Sequence, residues 1–194
     1  MIIKKWNWLL LPLLLSTLSG CEVFLIGGIV TGVGTGLAVS EDRRTSGTFV
    51  DDEGIEFTSA QLIREKTGAN VHVNVTSFNR NALLTGEVPS EPIKRDIEAL
   101  IKGVKNVRDV TNDIMVTSPS SIISRSNDMV TTTKVKGRFL DGGRFQINHV
   151  KVVTENGTVY LLGLVKRQEA ESASEIASST SGVRRVVKVF EYLD

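Results

Sequence analysis

The chain has 194 residues, 41% of them hydrophobic and 23% charged, with 23 Lys and Arg nearly balancing 22 Asp and Glu. That length allows one domain or two small ones, near-average Gly and Pro exclude collagen-like and Pro-rich disordered classes, and the balanced charge gives no whole-chain case for nucleic acid. One Cys and two His exclude an intramolecular disulfide framework and the usual multi-Cys/His zinc sites, so neither a metal centre nor a cofactor is expected.

Residues 1–20 follow the plan of a secretory signal: Lys4 and Lys5, the apolar run Trp8 to Leu15, then small and polar residues. The run is too short to span a bilayer. Leu18-Ser19-Gly20-Cys21 resembles the bacterial lipobox. The resemblance implies cleavage before Cys21, diacylglycerol on its sulfur and, with Glu22 rather than Asp next, sorting to the outer membrane of a Gram-negative cell. Two or three acyl chains anchor stably where one is marginal. Within residues 21–49, Val23 to Val39 carries no charge and five glycines, which weaken any helix. It reads as a flexible membrane-proximal tether. Gly32, Gly34 and Gly36 lack the Lys-Ser/Thr of a phosphate loop.

The next residues alternate between helical and strand patterns. Asp51, Asp52 and Glu53 supply a cap and negative charge for a helix over 53–66. Val71, Val73 and Val75 alternate with polar residues as a half-buried strand, and Ala82 to Val88 form a second. Ser90 caps a helix that tolerates Pro92 in its first turn and ends at Gly103 in the left-handed conformation. A third strand spans 107–116. The Ser-rich stretch 118–127 is a linker, and a helix follows from Asp128 to Leu140. His149-Val-Lys-Val152 repeats His72-Val-Asn-Val75, and Asn156-Gly157 suits a type I′ hairpin turn. The copies are 77 residues apart at the strands and 79 apart at the helix stops Gly103 and Gly182, so two inserted residues are expected. Each copy, 50–117 and 128–194, has the order αββαβ. Units of this size are marginal alone, so the copies are expected to pack on each other.

The αββαβ order, the strand glycines Gly86 and Gly163, and the Gly-Val-x-x-Val helix stops resemble the BON domain. Two such units behind a lipobox resemble the dual BON-domain outer-membrane lipoproteins, most specifically in the stretch Thr154 to Val165. The lead-in Asp42 to Asp52 is also similar. The resemblance implies an α+β fold of two tandem BON domains, each a three-stranded mixed sheet against two helices. It further implies a non-enzymatic periplasmic protein that binds anionic phospholipid, phosphatidylglycerol or cardiolipin, and supports envelope integrity. Links to the outer-membrane assembly machinery or to division-site proteins are part of the same implication.

Residues 50–117 carry 8 Lys/Arg against 11 Asp/Glu, and residues 128–194 carry 10 against 8, so an anionic surface should favour the second copy. Thr132, Val135 and Phe139 share one helical face, which leaves Met129, Val130, Thr133, Lys134, Lys136, Gly137 and Arg138 as the candidate phospholipid-binding set. His72 and His149 read as solvated strand residues rather than a pH sensor. Arg184, Arg185 and Lys188 read as a solvated strand edge. The main rival function is an interaction module that docks an envelope assembly or division partner. A hydrolase comes third, because no catalytic motif or usable Cys–His pair is found.

Overall fold

The computed structural model describes residues 42–67 and 71–194. The signal segment, Cys21 and the Gly-rich tether lie outside the described residues. The first unit comprises α1 (Ser46–Thr67), β1 (His72–Phe78), β2 (Asn81–Val88), α2 (Glu91–Lys102), β3 (Asp109–Asn112) and β4 (Met115–Val116). The second comprises α3 (Ile122–Gly142), a 3-10 turn (Ile147–His149), β5 (Val150–Glu155), β6 (Thr158–Val165), α4 (Arg167–Ser178) and β7 (Arg185–Tyr192). Both are α+β with mixed sheets. β2 pairs antiparallel with β1 and parallel with β3 and β4, and β6 pairs antiparallel with β5 and parallel with β7.

The central strands are buried on both faces, and the two faces have different partners. Ala82, Leu84 and Val88 point at α1 and α2 and pack with Ile55, Ile63, Ile97 and Ile101. Val159, Leu161 and Val165 do the same with Val135, Phe139, Ala173 and Ala177 of α3 and α4. The alternate residues Leu83, Tyr160 and Leu162 join Phe78 in a third buried cluster, in which the sheet of one unit meets the sheet of the other. The units thus complete each other's burial and lie in one compact body, as expected for domains this small.

Both hairpins turn through two left-handed residues, Asn79 and Arg80 in the first and Asn156 and Gly157 in the second. A buried aspartate holds each turn. Asn79 and Arg80 donate their backbone N–H groups to Asp52 at 2.9 and 2.7 Å, and Asn156 and Gly157 donate theirs to Asp128, both at 2.8 Å. Asp52 is therefore not a cap: α1 begins seven residues before the expected Glu53, and the aspartate faces inward from its second turn.

Four further expectations change. Gly103 has φ −85°, so it is not left-handed; Asn106 (φ 70°) and Gly182 (φ 100°) fill that role. The helices before them are both 12 residues long. The repeat offset there is accordingly 76, from Asn106 to Gly182, and no two-residue insertion exists. The third strand of the first unit is interrupted between Asn112 and Met115. Finally, α3 starts at Ile122 rather than Asp128, because Ser121 caps it by accepting the Ser124 N–H at 3.1 Å.

Candidate functional site

Helix α3 packs on its own sheet through Asp128, Thr131, Val135 and Phe139. Thr132, expected on that face, is half-buried and donates to Thr154 Oγ1 at 2.7 Å. At roughly 100° per residue, the opposite side carries two adjacent rows. Ile122, Met129, Thr133, Lys136 and Leu140 form one; Ile123, Val130, Lys134, Gly137 and Asp141 form the other. The five apolar residues among them are between 53% and 79% exposed, an unusual load for one helix whose inner face is already packed. Ile122, Ile123 and Leu140 are absent from the sequence-based set. The first two fall in the stretch read as linker, whose apolar content signals a helix only once Ser121 is recognised as its cap.

The cations divide. Lys134 and Lys136 are exposed and make no ion pair among the described residues. Arg138 is committed elsewhere: its guanidinium donates to Ile176 O at 3.1 Å and to the hydroxyls of Ser179 and Thr180 at 3.1 and 2.9 Å. These groups lie at the C-terminal end of α4, where a cation also meets the negative end of the helix dipole. Arg138 therefore ties α3 to α4. A cation from the last strand's approach joins the site instead, since Arg184 lines a cleft of about 420 Å³ together with Val130 and Lys134. Arg185 is paired with Asp113 at 2.8 Å. A Cβ added at Gly137 would meet nothing within 4 Å, so the helix backbone is open at that point.

The described chain begins beside this helix. Arg43 donates to Glu169 at 2.7 and 2.9 Å and to Leu164 O at 2.8 Å, and it lines a cleft of about 450 Å³ with Phe139 and Leu140. The Arg43 hydrogen bond holds the Glu169 carboxyl below the ordinary carboxylate range. Arg44 bonds Asp42 and the buried Asp52 and stacks on Phe78 with its guanidinium 4.1 Å from the ring centre.

The two histidines are not solvated strand residues. His149 is buried in the 3-10 turn before β5. His72 is half-buried, with Nε2 3.4 Å from Glu155 Oε1 across the junction of the two units.

Two αββαβ units folded sheet to sheet define a tandem BON-domain protein. The BON-domain family model matches residues 51–118 and 127–194, and the chain belongs to that family. Among curated relatives, the outer membrane lipoprotein DolP of Haemophilus influenzae is 40% identical over 185 residues, covering 93% of this chain and 96% of that one. The 21 kDa hemolysin of Actinobacillus pleuropneumoniae is 31% identical (78% and 79% covered), and osmotically-inducible protein Y of Escherichia coli is 28% identical, with 80% of each chain covered. The chain is a lipid-anchored outer-membrane protein of the Gram-negative periplasm with a non-catalytic role in envelope integrity.

Proposed function

We propose that the protein is anchored through diacylglycerol on Cys21 and lays the outer face of α3 on anionic phospholipid, phosphatidylglycerol or cardiolipin. The observation that carries this reading is the double row of Met129, Val130, Thr133, Lys134, Lys136 and Gly137, extended by Ile122, Ile123 and Leu140. Apolar side chains there can enter the acyl boundary while Lys134 and Lys136 meet phosphate. Each cation near such a surface contributes about 1 kcal/mol. The Arg43–Glu169 bond supports the same orientation, because it holds the first described residues on the side of the molecule that carries Leu140. Arg138 serves indirectly by fixing α3 on α4.

A second reading, the docking of an assembly or division partner, has its own support in the first unit. Val50 and Phe57, one row of α1, are 68% and 70% exposed with no lysine between them. The two readings separate by NMR on the labelled full chain in phosphocholine micelles. Adding phosphatidylglycerol should shift amides of the outer α3 residues. Shifts at α1 instead, or none at all, would reject the lipid reading.

A further inference from the structure

We propose that His72, Glu87 and Glu155 form a divalent-cation site of the zinc class at the junction of the two BON domains, with all three ligands outside the lipid-facing helix. His72 and Glu87 come from β1 and β2 of the first unit, which pair directly, and Glu155 ends β5 of the second. One ligand atom from each lies within 4.8 Å of the others. The His72 Nε2 to Glu155 Oε1 separation of 3.4 Å matches the roughly 3.4 Å between two ligands of a tetrahedral zinc, given metal–ligand bonds of about 2.0–2.2 Å.

The second observation is the state of the carboxylates. Glu87 is 2% exposed and Glu155 7%, yet neither has a Lys or Arg ion-pair partner among the described residues. Glu87 Oε2 accepts only the Ser120 N–H at 3.2 Å, and its other oxygen takes no hydrogen bond from any described residue. Two buried carboxylates facing each other are strongly unfavourable unless a cation or proton lies between them. Asn74 donates to Glu155 Oε2 at 2.8 Å and holds that carboxylate beside the imidazole, the supporting role that outer-shell amides play around metal ligands.

The site has an approach. A cleft of about 280 Å³ is lined by His72, Asn74 and Glu155 together with Met129 and Thr132 of α3, which leaves room for water as a fourth ligand. Arg125 and Asp128 line it too. An imidazole with two carboxylates suits zinc; calcium and magnesium favour six or more oxygen ligands. A cation here joins the first domain to the second. The three residues are scattered over 83 positions and two domains, so no Cys/His spacing pattern announces them.

The test uses the full chain in nonionic detergent, stripped with EDTA and dialysed. Titrated with zinc chloride against a zinc-binding dye, it should take up one zinc per chain and melt several degrees higher, whereas magnesium chloride should do neither. Glu155→Gln and His72→Ala should lose the zinc response and keep the EDTA-treated melting temperature, while Glu171→Gln at an exposed position should respond like the parent. Absence of binding by the parent chain, or an undiminished response in both variants, would overturn the proposal. If a variant does not fold, the histidine ring resonances of the parent decide: zinc should move those of His72, and movement of His149 alone, or of neither, counts against the site.

Discussion

Gly163 and Gly137 make opposite demands on the same domain. At Gly163 a Cβ would lie 2.3 Å from the backbone oxygen of His149, and at the equivalent Gly86 it would lie 2.0 Å from that of His72, so both central strands need glycine where the chain of the antiparallel neighbour comes close. At Gly137 a side chain has open space. Gly163→Ala should therefore cost about 1–3 kcal/mol. Gly137→Ala should gain up to about 1 kcal/mol from helix propensity and raise the melting temperature by about 2–4 °C. Thermal unfolding followed by circular dichroism reads both; a lower melting temperature for Gly137→Ala would mean its backbone has a contact not seen here. The strand glycines were legible because they repeat. The role of Asp52 was not, since an acidic residue near a helix start reads as a cap and only the fold brings the hairpin of residues 79 and 80 to it.

Among the elements, helix and strand types were legible and helix limits were not. α3 gains six residues because a serine-rich stretch looks like linker when its single capping hydrogen bond is unseen. That error hid Ile122 and Ile123 and made the exposed face look shorter than it is. The link between the lead-in and α4 was likewise invisible, since Arg43 and Glu169 lie 126 positions apart. It has a signature in pH. The folded pKa of Glu169 is depressed, chiefly by Arg43. Its stabilising contribution is thus present above the unfolded carboxylate value and lost as pH falls through the folded one. NMR titration of the Glu169 carboxyl carbon should show a midpoint below that of ordinary glutamate, and Arg43→Ala should move it up. An unmoved midpoint would remove the ion pair from the description of the lead-in.

For the whole molecule, composition and repeat length already imply that two small units share a core. Which faces meet was not legible, because Ala82-Leu83-Leu84 and Tyr160-Leu161-Leu162 read as continuous apolar runs whose two faces look alike. The structure separates them: odd and even positions serve different cores. At the rim of the shared cluster the Tyr160 hydroxyl donates to Asp113 Oδ2 at 2.7 Å, and burial followed by this hydrogen bond raises the phenol's pKa above its ordinary value. Tyr160→Phe removes a hydrogen bond to a charged group and should cost about 1.5–3 kcal/mol in urea unfolding. An unchanged midpoint would show that the inter-domain contact is not held by this pair.

The outer face of α3 is the part of the molecule on which its proposed work depends. Lys134→Glu with Lys136→Glu changes two exposed side chains that hold nothing else in place, so the fold should survive. Co-sedimentation of the delipidated Cys21→Ala chain with phosphatidylglycerol vesicles should fall at least tenfold in this double variant, given about 1 kcal/mol per surface charge, and should weaken with salt in the parent. Equal co-sedimentation of parent and variant would contradict phospholipid contact through this helix.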